Sequence, residues 1–368
     1  MSSQFKFRLA ETAEDAAIRA VLRQSPMAGN ISLAFGREPS FFIAEKAGSM
    51  SNQTLIYQDQ TNGKIVGIGS RCIRKLFVDG VEKPVGYLSN LRLLPEARNG
   101  MTLVRGYKFL QSLHSDGAVP YYFTTILDEN TPARATLESG RAGMPKYRYI
   151  GTLATYLITI RKPTSSKLPF EVRLCRPNDL PQAHKCLSEW NRRHQFAPVY
   201  TPGDISGESG LLPGFSLRNF YICEDKGEIV GTLGVWNQRA FKQTVVASYS
   251  ATMKVVRLFS NGIARLRGRP ILPPIGDQIR LLHGAVASSR DDDPEVFGAL
   301  IAKARADWSG YGHDYLVIAF SQGHTLETVT SRMAARVIKS RIYLVSWPEA
   351  NAVLPETQRI PHLEVATL

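Results

Sequence analysis

Cysteine is scarce in this chain of 368 residues: Cys72, Cys175, Cys186 and Cys223, far apart and with no C-x-x-C pair. That spacing excludes compact zinc modules and disulfide-dense secreted scaffolds, and no metal is expected. Long apolar runs are missing as well. No stretch approaches the ~18 residues of a membrane-spanning helix, and the opening MSSQFKFRLAETAEDAAIRAVL lacks an apolar core of signal-peptide length, so a reducing cytoplasm is the expected setting. Acid is in short supply: 32 Asp plus Glu stand against 45 Lys plus Arg, a net charge of +13 that should draw anions. What is plentiful is apolar surface, at 43%, enough for two cores and too much for a disordered chain.

From residue 5, FKFRLAE reads as a strand, followed by an amphipathic helix with Thr12, Glu14 and Asp15 at its start and a helical patch around PSFFIAEKAG. TLIYQD and KIVGIGSRCIRKLFV read as strands about the Asn62-Gly63 turn, and VDG at 78–80 turns into KPVGYLSNLRLLP. Residues 102–116 read as a helix, VPYYFTTIL as a strand, NTPARATLESG as a short helix and YRYIGTLATYLITI as a final strand. The polar RKPTSSKLPF, with two prolines, interrupts the pattern as a linker would. The order then repeats. FEVRLCR is a strand, NDLPQAHKCLSEWNRRH a helix capped by Asn178, and FYICEDKGEIVGTLGVW a hairpin about residues 225–227. QIRLLHGAVAS is a strand, PEVFGALIAKARADWSG a helix, DYLVIAFS a strand, TLETVTSRMAARV a helix and RIYLVSW a closing strand. The expected fold class is α/β (α+β) in two tandem domains, each a mixed, mostly antiparallel sheet flanked by helices. Their spans are 1–162 and 170–350, with a linker at 163–169 and a tail at 351–368.

One stretch carries a chemical signal. In LRLLPEARNGMTLVRGYKFL, residues 91–110, a strand gives way through Pro95 to a helix start, where backbone N–H groups without internal partners suit phosphate. No Asp or Glu lies between Glu96 and Asp116 to oppose an anion there. This stretch and the order of elements around it resemble the GNAT superfamily (Gcn5-related N-acetyltransferases), and the two consecutive copies resemble its tandem members. The resemblance covers residues 5–160 and, more weakly, 170–347. In that family a loop of the form [QR]-x-x-G-x-[GA], after a strand ending V-x-P, wraps the pyrophosphate of acetyl-CoA.

Here Leu93-Leu94-Pro95 stands for V-x-P, and Arg98, Asn99, Gly100, Met101, Thr102 and Leu103 occupy the loop and helix start; Gly100 comes one residue early. The resemblance implies that Leu91, Arg92 and Leu93 line the cofactor, one of their backbone N–H groups polarising the thioester carbonyl. A second family run, N-x-x-A-x-x-L-Y-E, matches NTPARATLE and implies a cofactor contact for Asn130, which also suits a helix cap. Leu137 stands where the family has its tyrosine acid, which leaves Tyr147, Tyr149 or water to serve the departing thiolate. GYLSNLRL holds no carboxylate, so Ser89 and Asn90 are the candidates to act at the amine, directly or through water. The implied activity is N-acyl transfer, most simply of acetyl from acetyl-CoA to a primary amine of a small molecule or peptide, by direct attack, since no cysteine sits in a nucleophile setting. Two other readings stand beside it: a CoA-binding sensor or scaffold without catalysis, and an acyltransferase that takes its acyl group from acyl carrier protein.

In the second copy the matching loop is SSRDDDPEVFGAL, whose Asp291, Asp292 and Asp293 suit a helix dipole but repel phosphate, so no CoA is expected there. His283, alone on an apolar strand, reads as structural. Residues 229–275 contain no Asp or Glu, while Arg239, Lys242, Lys254, Arg257, Arg265, Arg267 and Arg269 accumulate. Phe241, Tyr249 and Phe259 recur there at helix-like spacing. Acyl carrier protein, nucleic acid or a membrane surface would each suit residues 239–269, as would plain solvation over a domain interface; no nucleic-acid motif is present.

Overall fold

The computed structural model describes residues 4–98, 100–161, 170–267, 269–347, 354–355 and 358–368. The predicted linker, 163–169, lies outside them. The first half runs β1 (Phe5–Leu9), α1 (Asp15–Gln24), β2 (Ile31–Gly36), α2 (Phe41–Glu45), β3 (Ser51–Asp59), β4 (Ile65–Val78), β5 (Val81–Leu93), α3 (Gly100–His114), β6 (Tyr122–Leu127), α4 (Thr131–Leu137) and β7 (Lys146–Thr159). The second runs β8 (Glu171–Leu174), α5 (Leu180–Arg192), α6 (Pro202–Ser206), β9 (Phe220–Asp225), β10 (Glu228–Trp236), β11 (Gln243–Tyr249), α7 (Ala251–Leu266), β12 (Gln278–Ile279), β13 (Leu281–Ser289), α8 (Pro294–Asp307), β14 (Tyr315–Ser321), α9 (Glu327–Met333) and β15 (Ala334–Ser346).

Local chemistry accounts for the hairpins. Asp79-Gly80 and Lys226-Gly227 both place two residues at positive φ, the two-residue turn that matches strand twist. At residues 62–63, Gly63 alone has positive φ, and the Asn62 side chain accepts from Lys64 N at 2.9 Å. Asn178 does not cap α5: it lies within a 3-10 turn, Pro177–Asp179, and Asp179 accepts from Arg176 N at 2.7 Å instead. The aromatics of the basic stretch also separate, since β11 takes Tyr249 before α7 begins and Phe241 is buried ahead of it.

Twelve strands form one sheet in the order β1-β3-β4-β5-β6-β15-β7-β14-β13-β10-β9-β8. Each half hands its last long strand to the other. β15 lies between β6 and β7 and pairs antiparallel with both, while β7 pairs antiparallel with β14. The cores mix accordingly: Tyr156 and Ile158 of β7 pack with Leu316, Phe297 and Leu300, and Tyr343 and Val345 of β15 pack with Tyr107 and Leu110 of α3. A second sheet, β12-β11-β2, also joins the halves. There the Gln243 side chain imitates a ladder, accepting from Glu38 N at 3.0 Å and donating to Glu38 O at 2.9 Å. The described end of the expected tail is buried rather than loose, with Leu363 and Ala366 in the core and Arg74 of β4 holding both Thr367 Oγ1 and Thr367 O.

Candidate active site

β5 and β6 run parallel but pair only at Gly86 with Tyr122 and Tyr87 with Phe123. A Cβ on Gly86 would run into the Tyr122 ring, so glycine permits this close approach. Beyond Tyr87 the ladder ends, Leu88 O accepting instead from Thr124 Oγ1 at 2.7 Å, and a cleft between parted strands is a place where an extended, amide-bearing ligand can add as a strand would. On its other side β5 bulges. Its register with β4 passes from Ser89 opposite Ser70 to Arg92 opposite Ile68, leaving Asn90 and Leu91 against Gly69 alone, with Asn90 at φ +54. A bulge of this kind leaves the extra residue out of the ladder with β4.

A cavity of about 450 Å³ occupies this place, walled by residues 88–92 of β5 and 124–127 of β6, with β2 and β11 contributing Phe35 and Thr244. The polar group nearest the bulge came from an unexpected element. Glu45, at the end of α2, accepts from Asn90 Nδ2 at 2.8 Å, and the same amide lies 3.1 Å from Ser70 Oγ. Among the described lining residues Glu45 is the one carboxylate side chain, and it shares the cavity with Arg37, Arg74, Arg92, Arg239 and Lys242. Burial, and then Arg37, lower the Lys242 ammonium to about 7, its Nζ donating to Leu368 O at 3.2 Å. His283 also lines the cavity; burial first, then Lys242 and Arg37, push it down to about 3, so it is neutral at physiological pH. The Tyr107 and Tyr147 hydroxyls meet at 2.5 Å, and burial drives Tyr107 up to about 12 and Tyr147 well above its ordinary value. A smaller apolar pocket of about 80 Å³ lies under α3 among Leu55, Tyr57, Leu103 and Leu110 and shares Leu88, Ser89, Leu91 and Tyr107 with the large cavity.

The corner after β5 is a 3-10 turn, Pro95–Ala97, leading to α3 at Gly100. Two of its amides are already committed: Ala97 N donates to Leu94 O at 3.0 Å and Arg98 N to Pro95 O at 3.1 Å. The first turn of α3, Gly100 to Leu103, carries no acidic residue, and nearby Glu96 is held by Lys64 at 2.7 Å.

No protein-family model and no curated protein sequence matches the chain. Solved structures do. Saccharomyces cerevisiae N-myristoyltransferase with bound myristoyl-CoA superposes with TM-score 0.60 over 94% of this chain and 83% of its own, at 12% identity. A Gcn5-related N-acetyltransferase from Sphaerobacter thermophilus gives TM-score 0.58 over 100% of both chains, at 13% identity. A probable N-acyltransferase from Enterococcus faecalis gives 0.51 over 93% and 72%, at 10% identity. The chain has the GNAT fold.

Within the GNAT fold the residues expected from sequence fall in three groups. Ser89, Asn90, Leu91, Arg92, Asn130 and Tyr147 line the large cavity together. Leu93, Thr102 and Leu103 line the apolar pocket instead, and Thr102 is buried with its hydroxyl 3.5 Å from Tyr57 OH. Arg98 and Met101 are exposed, and Arg98 Nε donates to the backbone at Leu93 O, at 2.9 Å. Asn99 lies outside the described residues. Asn130 does cap α4, its Oδ1 accepting from Ala133 N at 3.3 Å, and Tyr149 bonds Thr152 rather than the cavity. Sequence reasoning missed Glu45, Arg37 and Arg74, and placed Lys242 in the basic stretch rather than in this cavity. The available signal was charge within otherwise apolar or small surroundings, as in FFIAEKAG and GSRCIRKL. In the second copy, Asp293 Oδ1 accepts from Glu295 N at 2.8 Å and Val296 N at 3.4 Å, so the start of α8 is closed by its own carboxylate.

Proposed function

We propose that the chain is an acyl-CoA-dependent N-acyltransferase working in the cleft between β5 and β6. The observation that carries this reading is the bulge at Asn90 and Leu91 with a carboxylate held against it by Asn90. Pantetheine, an extended chain with two amides, adds to the parted strand edges, and its phosphates take the α3 N-terminus and the cavity's excess of cations. The acceptor amine attacks the thioester carbonyl while the Leu91 amide stabilises the oxyanion. Glu45 receives the proton lost by nitrogen as the C–N bond forms and C–S breaks, with CoA leaving as thiolate. Tyr147, a phenol whose acidity burial has weakened, is suited to hydrogen-bond that thiolate rather than to surrender its own proton to it.

Acetyl is the simplest acyl group for this site, and the adjoining apolar pocket supports longer ones. Release of CoA thiol from acetyl-, butyryl- and myristoyl-CoA, each with a panel of small amines and peptides bearing free α-amines, tests the reading. Turnover that requires an amine is expected; thiol release from none of the donors with any acceptor would sink it. One observation favours a second reading. Leu137 occupies the family's tyrosine position and faces the cavity, as a sensor that binds CoA without turnover would allow. Donation from acyl carrier protein would show instead as transfer that free CoA does not inhibit.

A further inference from the structure

Helix α7, Ala251–Leu266, is built inside out. A surface helix normally turns its apolar stripe to the core. Here the side toward the protein carries Arg257, Ser260 and Asn261, fastened by polar bonds: Arg257 Nε to Leu272 O at 3.1 Å, Asn261 Nδ2 to Leu272 O at 3.0 Å, and Leu272 N to Asn261 Oδ1 at 2.8 Å. Arg257 also lies over the Tyr249 ring, 5.4 Å from its centroid. The opposite side presents Val255, Leu258, Phe259, Ile263 and Leu266 at the i, i+3, i+4, i+8, i+11 spacing of a single stripe. Leu258 is 74% exposed, Phe259 72% and Leu266 90%. Lys254 and Arg265 flank the stripe on one edge, and Arg267 and Arg269 follow at its end. No carboxylate side chain occurs from residue 229 to residue 275.

We infer that α7 docks the protein on an anionic lipid surface, lying in the headgroup plane with its apolar stripe inserted and its cations among lipid phosphates. The chemistry is that of an interfacial helix: a polar side, a contiguous apolar side, and Lys and Arg at the border, each adding attraction to anionic lipid. A second copy of the chain fits less well, because a two-fold interface through this face would bring the same cations against each other. The helix follows directly on β11, whose Gln243 and Thr244 line the large cavity, so docking ties one cavity wall to the bilayer. The inference stands independently of acyl transfer.

Co-sedimentation of the full chain with phosphatidylcholine vesicles, with and without phosphatidylglycerol, tests it. Binding should require phosphatidylglycerol and weaken as salt rises. It should fall by at least about tenfold in Leu258→Ser/Phe259→Ser and, separately, in Arg265→Gln/Arg267→Gln/Arg269→Gln. All five positions are exposed, so thermal unfolding of both variants should match the parent. Absence of binding to either vesicle, vesicle binding insensitive to Leu258→Ser/Phe259→Ser, or a dimer in solution that this variant dissolves would each overturn the inference. So would capture of an acidic carrier protein without vesicle binding.

Discussion

Glu45 and Asn90 sit in different elements, and their contact decides the proposed chemistry. Glutamine at position 45 keeps an oxygen for Asn90 Nδ2 but cannot hold a proton. Glu45→Gln should therefore lower kcat by roughly 10²–10⁴-fold while leaving KM for the acyl donor nearly unchanged, as read from steady-state CoA release. A rise in KM with kcat intact would assign Glu45 to binding instead. A second residue-scale cluster governs pH. His324 Nδ1 accepts from Leu326 N at 3.1 Å, so its proton sits on Nε2 and faces His194 Nε2 at 2.9 Å, while His194 Nδ1 is turned to Trp190 O. Burial first lowers all three of His194, His324 and His362, with His324 at about 4. Below the ordinary histidine value of 6.5 the unfolded chain takes up protons that the folded chain refuses, so stability is full above that pH and lost as pH falls toward 4. Glu364, raised by burial to about 7, works oppositely, binding a proton when folded that the unfolded chain releases above 4.5. The urea midpoint should drop between pH 6.5 and pH 4, and His324→Gln should flatten that slope. An unchanged slope in the variant would remove His324 from the account.

At the scale of elements, the parting of β5 from β6 depends on how closely the two strands approach just before it. Gly86→Ala should force the Tyr122 ring aside and cost about 1–3 kcal/mol in urea unfolding, the usual penalty for overpacking a buried site. A neutral result would mean the strands have slack that the geometry does not show. Much at this scale is legible from sequence: Asn62-Gly63, Asp79-Gly80 and Lys226-Gly227 mark their hairpins, and Asn130 ahead of Pro132 marks the start of α4. β2 and β11 escape such reading because their main partner is distant: β11 finds only the two-residue β12 in its own half, and ISLAFG and QTVVASY become strands chiefly by pairing with each other across about two hundred residues of chain. Glu45 escapes for a related reason. Its short helix ends beside a bulge that local periodicity gives no sign of.

For the molecule as a whole, the repeat of elements shows in the pattern of the chain but the exchange of final strands does not, since β7 and β15 read as strands whichever neighbours they find. The exchange has a consequence for folding. Residues 1–161 expressed alone would lack β15 and leave β6 and β7 without their partner, and residues 170–368 alone would lack β7 between β14 and β15. Each fragment should show weak, uncooperative thermal unfolding by circular dichroism, and mixing the two during refolding should restore a cooperative transition. Two fragments that each fold cooperatively would contradict the mixed cores.

The central claim is that the cleft holds acyl-CoA, and thermal unfolding of the full chain with and without acetyl-CoA tests it most directly. At a hundred times its dissociation constant the ligand should stabilise the fold by about 2.7 kcal/mol, with the shift kept at moderate salt and diminished in Gly86→Ala. An unfolding midpoint that acetyl-CoA leaves where it was would contradict the account.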